Sequence, residues 1–153
     1  MNQYLKLSIE QAEKTYKENI GGPFGAVIVD EQGNVLSIAS NHVLKKHDPT
    51  AHAEVEAIRT ACQKKQSHDL SGCTIYSSCE PCPMCLSAII WANIKKCIYG
   101  ANKVDAANIG FRDNAIYEFL KTKDNKILKM ENRNREECLE IFKDYTKING
   151  EIY

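Results

Sequence analysis

Apolar positions change their period several times along the chain, and each change marks an element. Leu5, Ile9, Ala12 and Tyr16 recur at helical spacing, so residues 3–19 are expected to form an amphipathic helix with that face inward. Gly21-Gly22-Pro23 is expected to end it. "FGAVIVD" and "VLSIASN" are β-prone runs joined by "EQGN", which predicts a hairpin of two strands. "HVLKKHDPT" reads as a polar loop. Residues 51–65 return to helical spacing, with Val55, Ile58 and Cys62 on one face. "CTIYSS" predicts a third strand. "PMCLSAIIWAN" predicts a helix with proline at its favoured first position, and "KKCIYGA" a fourth strand. Residues 101–114 read as loop, 115–121 as a short helix and 134–147 as a final one. The order α-β-β-α-β-α-β points to an α/β fold, one sheet between helices, in a single domain over residues 1–153.

Composition narrows this little, but it excludes some functions. At 43% hydrophobic, 153 residues can bury a core without staples. Twenty basic residues balance twenty acidic ones, which argues against a broad nucleic-acid or membrane surface. The stretch from Lys121 to Lys147 tilts only slightly, with eight basic and six acidic residues. No apolar run reaches the roughly 20 residues of a membrane helix. The N-terminus lacks the apolar centre and cleavage site of a signal peptide, so a cytoplasmic location is expected. Seven cysteines, an odd number, then favour metal binding or buried thiols over a disulfide framework.

Two short stretches carry the chemistry. One is "HAE", His52 to Glu54, and the other is "PCPMC", Pro81 to Cys85, each at an expected helix start. Catalytic zinc takes three Cys, His or carboxylate ligands and keeps a fourth position for water. His52, Cys82 and Cys85 would supply those three. Pro83 pre-sets a first helical turn, which puts the Cα atoms of Cys82 and Cys85 roughly 5–6 Å apart. Cys79 is held off: Glu80 precedes Pro81 and is pushed extended, so Cys79 lies up to about 10 Å from Cys82. It reads as a core residue. Cys62, Cys73, Cys97 and Cys138 sit in apolar patterns and are expected in the core. Glu54 follows His52 by two, a spacing that serves one site only if the first turn of the helix faces the metal end-on. His52 would then ligate while Glu54 moves protons between water and substrate. H-x-E followed by P-C-x-x-C is the signature of zinc deaminases.

With these elements the chain resembles the cytidine deaminase-like superfamily. "GGPFGAVIVD", "DPTAHAEVEAIR", "SSCEPCPMCLSAIIWA" and "DAANIGFRDNAIYE" resemble its bacterial guanine deaminases over residues 3 to about 121. The tail match is weaker and ends at Tyr153, and residues 122–150 match poorly. The resemblance implies a three-layer α/β/α sandwich with a mixed five-stranded sheet. It implies hydrolysis of guanine to xanthine and ammonia, with one Zn2+ per subunit on His52, Cys82 and Cys85. Glu54 would shuttle protons, and Asp113 would serve substrate amine recognition or proton transfer. Phe24, Asn41, Ala53 and Trp91 would meet or flank the purine base. It implies a homodimer in which the segment from about 122 to 153 is exchanged, so that Tyr153 closes the partner's site.

Two other readings compete. A tRNA adenosine deaminase shares HAE and PCxxC, but it would want a basic surface and an open mouth for a flipped nucleotide. A structural zinc module would have no use for Glu54 beside the metal, and no fourth protein ligand is apparent. A nucleoside such as guanosine or cytidine remains a variant of the first reading, because the room for ribose is not legible in sequence.

Overall fold

The computed structural model describes residues 1–153. The chain runs α1 (Gln3–Lys17), β1 (Gly25–Val29), β2 (Val35–Ser40), α2 (Val43–Lys46), α3 (Ala53–Lys65), β3 (Thr74–Cys79), α4 (Pro83–Trp91), β4 (Lys96–Ala101), α5 (Lys103–Asn108), α6 (Asp113–Thr122) and α7 (Arg135–Lys147). It divides into two compact units, Met1–Asn114 and Ala115–Tyr153.

In the first unit the strands form one sheet in the order β2-β1-β3-β4. β1 pairs antiparallel with β2 and β3, and β3 pairs parallel with β4 across the helix α4. The mixed sheet therefore has four strands, not the five expected. After Ala101 the chain turns straight into α5, where Asn102 caps the helix and Asp105 closes the capping box, and no further β-prone run follows. This helix also replaces part of the loop expected over 101–114, and α2 interrupts the loop expected after β2.

Strand alternation sorts the core into two clusters. Ala26 and Ile28 of β1 and Ile75 of β3 pack with Ala53, Ala57 and Ala61 of α3 and Ile89 of α4. Val27, Val29 and Tyr76 point the other way, against Tyr4 and Leu5 of α1. The result is three layers, with α3 and α4 on one face of the sheet and α1 on the other.

Two helix faces differ from expectation for one reason, close approach. On α3 the buried residues are Ala53, Glu54, Ala57 and Ala61, while Val55, Ile58 and Cys62 are only half-buried at its flank. On α1 they are Ser8, Ala12 and Thr15, whereas Ile9 and Tyr16 are exposed. Small residues let α1 lie against β1 so closely that a Cβ on Gly25 would overlap the Ser8 carbonyl. Ser8 and Thr15 satisfy their hydroxyls within the helix, on the carbonyls of Leu5 and Gln11. Gly25→Ala should therefore lower stability by about 1–3 kcal/mol. A urea midpoint equal to wild type would refute this contact. Helix α1 also ends at Lys17, before the glycines, because Asn19 takes a left-handed conformation at φ 55°.

In the second unit neither the rest of α6 nor α7 buries a residue, and Ile141, Phe142 and Tyr145 of α7 are exposed. Cys138, expected in a core, is exposed on α7. Cys73 is buried, and Cys62 and Cys97 are half-buried against the core.

Candidate active site

The site forms where two helices begin side by side at one end of the sheet. His52 is the N-cap of α3 and Cys82 the N-cap of α4, both with extended backbone. Pro83 occupies the first turn of α4, and Cys85 follows within that turn. Because a cap residue stands outside the helix proper, His52 projects past the helix end and Glu54, one step inside, lies near it. That is the end-on arrangement the H-x-E spacing requires.

His52 Nδ1 lies 3.6 Å from Cys82 Sγ and 3.4 Å from Cys85 Sγ. The three ligand atoms lie within 4.8 Å of one another. A tetrahedral zinc, with Zn–S of about 2.3 Å and Zn–N of about 2.0–2.1 Å, separates such N and S atoms by roughly 3.6 Å. The donor set thus fits zinc in chemistry and spacing, and three protein ligands leave the fourth position open. Cys79 is not in this set. It ends β3, and its thiol is directed at the Asn102 carbonyl, 3.7 Å away.

Electrostatics agree with a cation site. The bond from Cys85, with His52 beside it, holds the Cys82 thiol down to about 4. The same bond and burial push the Cys85 thiol up. Contact with Cys82 raises His52. Helix N-termini add favourable partial charge for thiolates.

Glu54 is buried at 5% exposure, yet fully partnered. Ser77 Oγ donates to its Oε1 at 2.9 Å, and the Cys85 thiol donates to its Oε2 at 3.4 Å. Burial pushes its carboxyl upward. A carboxyl whose protonated form is favoured in this way is suited to giving and taking a proton. Beside it opens a cavity of about 30 Å³, which takes a water, lined by Phe24, His52, Glu54, Cys79, Glu80, Cys82, Ala106, Phe111 and Asp113. Phe24 and Phe111 meet edge to face, ring centres 4.7 Å apart at 79°. Asp113, at the start of α6, is raised by burial first and then by the Cys82 sulfur. A wider hollow of about 800 Å³ lies elsewhere, between Asn19-Ile20 and Val43–Pro49. It contains none of the metal-ligating set.

Of the residues expected around a base, Phe24 and Asp113 line the cavity. Asn41 and Ala53 are buried and outside its lining. Asn41 Oδ1 accepts from the Gly22 and Val43 amides, and its own amide donates to the Phe24 carbonyl, so it holds the segment carrying Phe24. Trp91, expected beside the pocket, is 66% exposed and lies outside the lining of the cavity in this chain. It ends α4, whereas the site lies at the helix start, eight residues or about 12 Å away along the axis. Tyr153 is exposed in the second unit.

Ser77, Glu80, Ala106 and Phe111 were not anticipated. A signal for Ser77 existed. It alternates with Ile75 on a face of β3 otherwise buried in the core, and a buried polar residue there asks for a partner. Phe111, in a loop after a glycine, had no periodicity to reveal it.

Residues 1–101 match the family model described as the cytidine and deoxycytidylate deaminase zinc-binding region. The chain is 49% identical to a guanine deaminase of Bacillus subtilis over 75% of its own length and 73% of the relative's. It is 40% identical to a tRNA-specific adenosine deaminase of Aquifex aeolicus over 64% of each chain. The crystal structure of guanine deaminase from Bacillus subtilis superposes with TM-score 0.89 and 41% identity, covering 96% of this chain and 95% of that one. A mutant protein solved in complex with 8-azaguanine matches at TM-score 0.69 and 29% identity, over 72% of this chain and 63% of that one.

Proposed function

The chain belongs to the cytidine and deoxycytidylate deaminase family, and we propose that within it this protein hydrolyses guanine to xanthine and ammonia. The observation that carries the reaction type is the buried Glu54 carboxyl beside a His-Cys-Cys set with one open metal position. Likeness over nearly the full length to a guanine deaminase structure, and 49% identity to a guanine deaminase against 40% to a tRNA-specific enzyme, support the substrate. So does the neutral chain, which lacks the basic excess an RNA partner favours.

His52, Cys82 and Cys85 would hold zinc. When bound, zinc acts as a Lewis acid and brings the pKa of a water from about 16 toward 7. Glu54, held at Oε1 by Ser77, takes a proton from the attacking water. It delivers that proton to N3 of the ring as the new C–O bond forms at the carbon bearing the amine. It then hands the second proton to the departing amine, so guanine and water leave as xanthine and ammonia. Asp113 offers an acceptor to the donors of guanine, its N1–H or exocyclic amine. Phe24 gives the flat base an apolar wall. The cavity wall keeps bulk water away, which strengthens the fields of carboxylate and cation.

The deciding measurement is ammonia release from guanine, guanosine, adenine, cytidine and an anticodon stem bearing adenosine. Guanine should be the substrate turned over fastest. Release from the RNA alone would overturn the reading.

A homodimer with an exchanged tail belongs to the same proposal. The apolar residues Ile141, Phe142 and Tyr145, exposed on α7, supply surface for a partner to cover. On this reading Tyr153 closes a site from the tail. Deleting the last three residues should raise KM for guanine about tenfold or more, since closure of a lid both binds and shields the base. Unchanged kinetics would count against the lid.

A further inference from the structure

The loop between β3 and α4 does more than present Cys82. Glu80, two residues before it, reaches across to the segment that follows β4. Its amide donates to the Ala101 carbonyl at 2.7 Å. Its carboxylate Oε2 accepts the Lys103 amide at 3.0 Å, at the first residue of α5. The neighbouring Cys79 thiol meets the Asn102 carbonyl in the same place. From there the connection runs through α5 to the cavity. Ala106 of α5 lines it, and the Phe111 amide donates to the Ala106 carbonyl at 3.2 Å. Phe111 in turn stands edge-on to Phe24. It also lies against Gly22 so closely that a Cβ there would come within 2.9 Å of the Phe111 ring.

Phe111 stands at the cavity, 38% exposed, in contact with Phe24 and Gly22. Its backbone is held by the short helix α5, through the Ala106 carbonyl, and the start of α5 is tied to the metal loop by Glu80. We propose that Glu80 is a positioning residue for the aromatic wall. Its carboxylate fastens α5 to the loop that carries Cys82, so that Phe111 stands against Phe24 where a planar base enters. This rests on the guanine reading above. The role needs an acceptor at Oε2, not a negative charge, and that separates it from direct recognition of the substrate.

Lys103 gives a test from the far side. It is the first helical residue, where proline is tolerated, and Asn102 before it is already extended at φ −98° and ψ 173°. Lys103→Pro removes the amide donor, and Lys103→Ala controls for loss of the side chain. Wild-type turnover of the panel of bases is measured first and tests the guanine reading. The variants are then compared on whichever base the wild type accepts, with zinc content as a check on the metal loop.

Glu80→Ala should raise KM about tenfold, as expected for one lost hydrogen bond to a charged group, and change kcat less than about threefold. Lys103→Pro should do the same relative to Lys103→Ala, which keeps the proposal testable if Glu80→Ala loses its zinc or its fold. Glu80→Gln keeps an acceptor and should lie within about threefold of wild type. Glu80→Ala added to Phe111→Ala should cost little beyond Phe111→Ala alone, because both remove the same wall. Unchanged KM in Glu80→Ala and Lys103→Pro would overturn the proposal. So would a Glu80→Gln variant as impaired as Glu80→Ala, which would assign the carboxylate to the base itself, or full additivity with Phe111→Ala.

Discussion

Replacing Glu54 with glutamine should leave zinc bound and reduce turnover by about 10²–10⁴-fold, the range for losing a positioned acid–base group. The substitution is nearly isosteric. Glutamine keeps an oxygen for the Ser77 hydroxyl that donates to Oε1 at 2.9 Å, so the side chain should stay in place. It removes only the capacity to carry a proton. The environment has prepared the carboxyl for that task. At 5% exposure it is removed from water, and burial favours its protonated form. Metal content and kcat, measured on the same preparation, separate the roles. Full activity in Glu54→Gln would refute the proton shuttle, and loss of zinc would make Glu54 a ligand instead.

Cys85→Ser should abolish zinc loading and activity together. Cys85 is fully buried, with its sulfur 3.4 Å from His52 Nδ1 and 3.4 Å from Glu54 Oε2. A serine hydroxyl does not ionise near neutral pH, so two ligands would remain where zinc needs three. Losing even an outer hydrogen-bond partner of a ligand typically weakens metal binding about 10–100-fold, and loss of a ligand should exceed that. Cys79→Ser should keep its zinc, since the Cys79 sulfur is directed to the Asn102 carbonyl and lies outside the ligand set. Emission spectroscopy after dialysis gives the metal content. A second reading comes from unfolding. Chelation should lower the Tm of the wild type, because a metal bound only by the folded state stabilises it, and should not move the Tm of Cys85→Ser. Equal zinc in Cys85→Ser and wild type would sink the assignment.

The metal ligands were legible because each is set by local chemistry. A proline at N1 folds Cys82 and Cys85 into one turn, and a cap position turns His52 toward the same point. These are short-range constraints. They hold whatever the rest of the chain does. The helix faces were less legible for the opposite reason. Hydrophobic spacing marked Val55, Ile58 and Cys62 on α3 and Ile9 and Tyr16 on α1, but the sheet lies too close to these helices to admit large side chains. Alanine, serine and threonine took the inner positions. Periodicity measures hydrophobicity and not the width of the gap.

The residues around the base divide the same way. Phe24 and Asp113 line the cavity, while Trp91 lies at the other end of α4, outside that lining in this chain. The count of five strands came from the resemblance, whereas the residues themselves offered four β-prone runs, and the sheet has four strands.

By itself, then, the sequence determined which atoms could bind a metal and which carboxyl stood next to them, since helix caps and prolines act over a few bonds. Only the tertiary structure decided what surrounds that carboxyl. Ser77 comes to Glu54 across 23 positions of sequence, and Glu80 to Lys103 across another 23. Phe111 meets Phe24 from the far end of the unit. Such meetings depend on the order of strands in a sheet and the distance between layers, and no local pattern encodes either.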